Sequence, residues 1–159
     1  MTKPKRNKAA TLLRLCLLAG TLDGIAALLM SYKVSPATVF QYIASGWFGK
    51  AAFTGGAAMV VYGIVFHYLI ASCWSILLFV LYPGFKRIVI NKYMVAVIFG
   101  LVIWLVMNLA VLPLTNVPKQ TGGHVNILLI LEGMGVLTIC LGIPIALAAD
   151  RYYNSRRWT

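Results

Sequence analysis

Apolar residues fill four stretches of this chain, and each stretch has the length of a helix that crosses a lipid bilayer. A spanning helix needs about 20 mostly apolar residues. The stretches cover residues 11–32, 58–82, 93–112 and 125–149. The pattern therefore predicts an all-α integral membrane protein, a four-helix bundle that forms a single transmembrane domain over residues 1–159.

Proline and glycine predict where these helices end or bend. Pro83 and Gly84 follow the second stretch as a helix stop, and Pro113 follows the third. In the fourth stretch, Pro144 is expected to kink the helix and to free the carbonyl oxygen of Cys140. Because the number of spans is even, both termini are expected on the same side of the membrane.

Residues 35–57 do not fit the pattern of a span. Ser35 followed by Pro36 is a favourable helix start. The apolar segment that follows is interrupted by glycines and by polar residues such as Gln41 and Lys50. We predict a short helix over about residues 36–50 on the outer face, either in the interface or re-entrant. An ordinary amphipathic connector is the alternative.

The composition supports a lipid environment and changes the meaning of the charge. Of 159 residues, 61% are hydrophobic and 11% are charged, whereas soluble domains have about 45–50% apolar and about 25% charged residues. The net charge of +11 would suit nucleic acid, but the basic residues are placed as membrane topology predicts. We therefore expect the bilayer and its anionic lipids as partners, and no nucleic acid.

Eleven of the fourteen basic residues lie near the two termini or in the connection between the second and third spans. Only Lys33, Lys50 and Lys119 remain for the opposite side. The excess of Lys and Arg marks the cytoplasmic side, which predicts cytoplasmic termini. The eleven residues are Lys3, Lys5, Arg6, Lys8, Arg14, Lys86, Arg87, Lys92, Arg151, Arg156 and Arg157.

One polar side chain interrupts each span: Asp23, His67, Asn108 and Glu132. Polar groups inside a membrane are costly, and they are functional-site candidates by default. With a rise of about 1.5 Å per residue, all four fall in the outer half of their spans. They are expected either to lock the bundle by hydrogen bonds or to line an outward-facing pocket. Lys50 either adds a positive charge over the mouth of that pocket or snorkels to the interface.

Small residues accompany these polar positions and predict close helix packing. Gly20 and Gly24 form a GxxxG pair beside Asp23. Gly63 precedes His67 by four residues, and Gly100 lies on the face of Asn108. Such small residues let two helices approach closely. They predict contacts within the bundle, with a second copy or with another membrane protein.

Nothing in the sequence predicts catalysis or a bound cofactor. The chain contains no GxSxG, HExxH, P-loop or GxGxxG motif. Asp23, His67 and Glu132 are chemically able to hold a metal ion, but no ligand spacing supports such a site. Haem is disfavoured because His124 is predicted in a loop, which leaves one histidine in a span. We expect no catalytic residue, no metal and no cofactor.

Five segments together resemble a group of small bacterial inner-membrane proteins of unknown function. They are AGTLDG at 19–24, QYIASGWFGKAAFTGG at 41–56, FHYLIA at 66–71, MNLAVLPLT at 107–115 and GIPIALAADR at 142–151. The resemblance implies a helical four-span fold in a bacterial cytoplasmic membrane. It implies no activity.

Two functions follow from these patterns. The first is a structural or accessory subunit that packs with itself or with another membrane protein, as the GxxxG pair and the small size indicate. The second is a small channel, transporter or sensor, in which the polar residues handle a proton, a cation or a small polar ligand. The histidine would suit proton exchange, since histidine titrates near neutral pH.

Overall fold

The computed structural model describes residues 7–89, 91–118 and 127–155. Within these ranges the chain is helical apart from short connections. Several residues named above lie outside the described part of the chain, namely Lys3, Lys5, Arg6, Lys119, His124, Arg156 and Arg157, together with residues 125–126 of the fourth predicted span.

Five helices are described, and four of them are long and apolar enough to cross a membrane. The prediction of an all-α protein with four spans is therefore confirmed, and the chain is an integral membrane protein. The helices are α1 (Lys8–Met30), α2 (Pro36–Phe48), α3 (Gly56–Ile88), α4 (Lys92–Leu114) and α5 (Ile127–Asn154).

Helix α2 begins where the sequence predicts it. Ser35 accepts a hydrogen bond from the backbone N–H of Thr38 at 3.2 Å, and Pro36 occupies the first turn. With 13 residues the helix is too short to span a bilayer. A 3-10 turn, Gly49–Phe53, follows and leads toward α3.

The predicted stop at Pro83 and Gly84 is wrong, because α3 continues to Ile88. Proline removes one backbone N–H donor from the helix. Helices in membranes tolerate this loss where neighbouring helices support the backbone. Here Tyr82 is fully buried and Phe85 packs edge-on against Phe99 of α4, with ring centroids 5.2 Å apart. These contacts hold the last turns of α3 against α4.

Two other prolines follow a widened helical turn. In α4, a π-helical turn over Met107–Val111 comes just before Pro113. In α5, a similar turn over Thr138–Gly142 comes just before Pro144, and Ile143 donates to the carbonyl oxygen five residues back. Such turns make room where proline would collide with the carbonyl four residues earlier. Pro144 therefore does disturb its helix, and Pro113 lies within α4.

The core lies in the half of the bundle that contains the ends of the described chain. It is built from large side chains of α3, α4 and α5, among them Phe79, Tyr82, Phe99, Ile145 and Tyr152. In the opposite half, where α2 lies, packing is looser. No residue of Ile127–Leu137, the first part of α5, is buried.

Candidate functional site

A pocket of about 410 Å³ occupies the half of the bundle near α2. Helices α3 and α4 supply most of its wall, and α2 contributes residues from Tyr42 to Trp47. Asp23 reaches it from α1, and Leu137 and Leu141 reach it from α5. Most of the lining is apolar, so the pocket differs from the expected polar one.

Helix α2 and the segment after α4 meet beside this pocket. The backbone N–H of Asn116 donates to the carbonyl oxygen of Gly46 at 3.0 Å, and its side-chain nitrogen Nδ2 donates to the carbonyl oxygen of Trp47 at 3.1 Å. Thr115 and Val117 also line the pocket. The two hydrogen bonds therefore hold α2 and this segment together at one wall of the pocket.

Asp23 and His67 form a polar pair on the wall. His67 is buried, whereas the side chain of Asp23 is 22% exposed. Nδ1 of His67 lies 4.0 Å from Oδ2 of Asp23, which is too far for a direct hydrogen bond. The two polar atoms therefore lie near each other without a direct hydrogen bond.

A second contact determines which ring nitrogen of His67 carries hydrogen. Nε2 lies 2.8 Å from the backbone carbonyl oxygen of Gly20. A carbonyl oxygen only accepts hydrogen bonds, so Nε2 is the donor. In the neutral ring Nδ1 is then a free acceptor, and it is the atom that faces Asp23.

The GxxxG pair of α1 makes this arrangement possible. A Cβ atom at Gly20 would lie 2.8 Å from Cδ1 of the Tyr68 ring, and one at Gly24 would lie 3.1 Å from Nε2 of His67. Both glycines therefore pack against α3 inside the chain. The sequence left open whether they face a neighbour in the bundle or another molecule.

The other two glycines chosen from the sequence also lie at close contacts between helices. A Cβ atom at Gly63 would collide with the carbonyl oxygen of Phe40 in α2. A Cβ atom at Gly100 would collide with the hydroxyl of Thr138 and lie 2.7 Å from its Cα atom in α5. These glycines let α2 and α5 approach the helices that line the pocket.

Three of the expected polar residues lie elsewhere. Nδ2 of Asn108 donates to the carbonyl oxygen of Trp104, one turn earlier in the same helix, at 2.9 Å. Glu132 is exposed on the outside of α5, and Lys50 is exposed in the 3-10 turn after α2. None of the three lines the pocket. The four polar residues thus reduce to one pair, Asp23 and His67.

One acidic residue that the sequence did not single out has several partners. Oδ1 of Asp150 accepts hydrogen bonds from Oη of Tyr82 at 2.8 Å and from Nδ2 of Asn154 at 3.0 Å. Nζ of Lys92 lies 3.9 Å from its Oδ2 atom. Asp150 therefore joins α3, α4 and α5 at the end opposite the pocket. In the sequence, Asp150 is a single acidic residue that follows a long apolar run, and this position could have identified it.

Aromatic side chains of the pocket were also missed. The sequence analysis did not identify Tyr42, Trp47, Phe66 or Trp74 as candidate site residues. All four line the pocket. The alternation of aromatic and aliphatic residues along a span does not reveal which of them face an internal space, because lipid and pocket are both apolar.

Asp23 and His67 offer two groups of the kind that bind metals. In residues 7–89, 91–118 and 127–155, no group of three or more His, Cys, Asp or Glu side chains is placed to hold one ion. A metal site at the pair would need further ligands from outside the described protein.

The fold and the pocket define a class of protein: an integral membrane protein with four spans and a largely apolar pocket between its helices. Comparison with known proteins goes no further, because no family profile, no curated protein and no solved structure matches the chain. The resemblance to small bacterial inner-membrane proteins stays a prediction.

Proposed function

We propose that this protein binds a hydrophobic small molecule with one polar group, in order to transport or to sense it. The observation that carries the proposal is the Asp23–His67 pair on the wall of an otherwise apolar pocket. Ligand pockets measure about 300–1,000 Å³ and combine an apolar lining with a few polar groups. The pocket of about 410 Å³ fits this description.

The apolar lining narrows the alternatives that the sequence left open. A water-filled channel or a site for a small polar ligand needs several polar groups on its wall. Here the apolar wall favours a ligand with a large hydrophobic part.

We also propose that the protein lies in a bacterial cytoplasmic membrane, with both of its termini in the cytoplasm. The support for this location is the distribution of Lys and Arg, which mark the cytoplasmic side. The described basic residues at the end opposite α2 are Lys8, Arg14, Lys86, Arg87, Lys92 and Arg151. The pocket then lies at the level of the outer leaflet, where a ligand from outside the cell reaches it.

Filling the pocket tests the proposal. In a protein that retains Trp74 as its single tryptophan, we expect the double variant Val111→Phe and Leu137→Phe to abolish saturable quenching of Trp74 by a brominated twelve-carbon alcohol in nanodiscs. Val111, Leu137 and Trp74 all line the pocket. The control is Leu109→Phe with Leu129→Phe, on the outside of the same helices, where the side chains are 71% and 62% exposed.

The control variant should bind the alcohol as the wild type does, since it enlarges side chains that face lipid. Equal binding by the pocket-filled protein, or no saturable quenching in the wild type, would contradict a ligand pocket. Circular dichroism and gel filtration of each variant separate a lost pocket from a lost fold.

The outer part of α5 favours a second candidate, a structural or accessory subunit. Glu132 is exposed there among the exposed side chains of Leu129 and Leu131. A carboxylate inside a span is costly unless it is paired. A Cβ atom at Gly135, one turn later, would meet no other atom within 4 Å. This face suits a partner helix with a hydrogen-bond donor or a positive charge.

Cysteine cross-linking distinguishes this candidate. We expect Leu129→Cys to form a cross-linked species in native membranes, and Glu132→Lys to abolish it by placing a positive charge against the donor of the partner. The control is Leu17→Cys, on the outside of α1 with 54% exposure. Equal cross-linking at both positions would indicate random collision and would remove the candidate.

A further inference from the structure

The polar atoms of the pocket determine which head group it accepts. We infer that the ligand is a hydrophobic molecule that ends in a protonated amine, an inference that rests on the proposed function of the pocket. The ammonium group lies between Asp23 and His67, and the hydrophobic part lies along α3 and α4.

When Asp23 is ionised and His67 is neutral, the two facing atoms of the pair are both hydrogen-bond acceptors. An ionised Asp23 has no hydrogen on Oδ2, and the neutral ring of His67 has none on Nδ1, because Nε2 donates to Gly20. The two atoms are 4.0 Å apart. A nitrogen about 2.8 Å from each would subtend an angle of about 90°. Two N–H bonds of one ammonium group approach this angle, so one protonated amine satisfies both acceptors.

The charges around the pocket favour a cation. No lysine or arginine is among the described residues that line it, so no fixed positive charge faces Asp23 there. An anionic ligand would add a second negative charge in an apolar space, which is costly. A neutral ligand would leave the carboxylate with the His67 ring, 4.0 Å away, as its one source of positive charge among the described residues of the pocket. A cationic head group supplies a further positive charge.

Aromatic rings in the pocket also favour a cationic head group. Tyr42 and Trp47 line the pocket from α2, and Phe66 and Trp74 line it from α3. The faces of such rings attract cations. Their edges and the aliphatic side chains of α4 offer apolar contact for the rest of the molecule. The pocket thus combines a carboxylate, an acceptor nitrogen and aromatic rings.

Four amphiphiles with the same tail test the head group. Each is a brominated twelve-carbon chain, and the chains end in a primary ammonium, a trimethylammonium, a hydroxyl or a sulfate group. The protein in nanodiscs retains Trp74 as its single tryptophan, with phenylalanine at Trp47, Trp104 and Trp158. Binding in the pocket is measured as saturable quenching of Trp74. Only the part of the quenching that is lost in the double variant Val111→Phe and Leu137→Phe is counted as binding in the pocket.

We expect the primary ammonium chain to bind about tenfold or more tightly than the other three chains. A hydrogen bond between charged groups contributes a binding free energy of this size. Equal binding of the trimethylammonium chain, which has no N–H, overturns the inference. Equal or tighter binding of the alcohol or the sulfate also overturns it, although the pocket then still binds a ligand. If no amphiphile gives saturable quenching in the pocket, the proposed function itself fails.

The variant Asp23→Asn tests how much the negative charge of the Asp23 carboxylate contributes to binding of the ammonium chain. It should weaken binding of the ammonium chain about tenfold or more, and it should weaken binding of the alcohol by a smaller factor. The matched control is Glu132→Gln, which removes a carboxylate outside the pocket and should leave both affinities unchanged. Equal loss of ammonium binding in the two variants overturns the inference. If Asp23→Asn does not fold, as gel filtration reports, the ranking of the four head groups remains the test.

Discussion

His67 illustrates how one backbone contact sets the chemistry of a side chain. The carbonyl oxygen of Gly20 lies 2.8 Å from Nε2 and holds a hydrogen there. The opposite nitrogen faces Asp23 as an acceptor. Gly20 has no side chain, and a Cβ atom there would meet the ring of Tyr68. The same glycine therefore lets α3 approach and determines the tautomer of the histidine.

The tautomer is directly measurable. We expect ¹⁵N NMR of the histidine rings to show hydrogen on Nε2 of His67 at every pH at which the protein stays folded, because the Gly20 carbonyl oxygen needs a donor. The variant His124→Gln leaves His67 as the only histidine and assigns the signals. A neutral ring with its hydrogen on Nδ1 would contradict the hydrogen bond and the acceptor role of that atom.

At the scale of the helices, glycine decides how closely neighbours approach. The obstacle at Gly63 is the backbone carbonyl of Phe40, and the obstacles at Gly100 include the backbone of Thr138. Backbone atoms in helices cannot rotate away as a side chain does. Contacts of this kind stabilise helix pairs in membranes, where the hydrophobic effect between helices is absent.

A series of alanine substitutions tests this packing. We expect Gly63→Ala and Gly100→Ala to lower the free energy of unfolding by about 1–3 kcal/mol each, the usual effect of overpacking. Gly20→Ala should cost less, because the Tyr68 ring can shift. Titration with sodium dodecyl sulfate in mixed micelles measures these values.

Gly135→Ala is the control for this series, because a Cβ atom there would meet nothing within 4 Å. It should be neutral or slightly stabilising, since alanine favours a helix over glycine. If all four variants lost equal stability, helix propensity or lipid contact would explain the effect better than close approach.

The two halves of the whole molecule have different roles. Large buried side chains and the Asp150 hydrogen bonds hold three helices together at one end. At the other end α2 and the segment after α4 meet beside the pocket. Ligand-binding segments are commonly found in the less densely packed parts of a protein, and the pocket lies in the half that has fewer large buried side chains.

The variant Tyr82→Phe tests whether one half of the molecule supplies stability and the other half supplies ligand binding. Loss of the Tyr82 hydrogen bond to Asp150 should lower the free energy of unfolding by about 1 kcal/mol, whereas the affinity of the pocket should stay the same. Unfolding in detergent and quenching of Trp74 measure the two effects. The matched control is Tyr93→Phe, since Tyr93 is 56% exposed, and it should change neither quantity. A loss of affinity in Tyr82→Phe would show that the two halves are coupled.

The sequence predicted the secondary structure and the number of spans because both depend on local pattern. Apolar length gave the four spans, and Ser35 with Pro36 gave the start of α2. The stop at Pro83 was predicted wrongly, since contacts of Tyr82 and Phe85 with α4 outweigh the local signal of proline. The widened turn before Pro113 was also not predicted.

The site depended less on local pattern. Asp23 and His67 were identified because each interrupts an apolar run, but the same argument selected Asn108 and Glu132. Asn108 bonds to its own helix, and Glu132 lies on the outside of α5. The hydrophobic pattern could not separate them, because residues toward lipid and residues toward the bundle are equally apolar.

By itself the sequence determined that this chain lives in lipid, how often it crosses, and which polar residues need an explanation. These properties follow from the free energy of transferring each side chain into hydrocarbon, which depends on composition and length. The tertiary structure alone decided that Asp23 lies near His67, that the Gly20 carbonyl oxygen accepts from Nε2 of His67, and that an apolar pocket adjoins the pair. Those properties depend on the rotation of each helix about its axis, which close contacts at glycine fix in space.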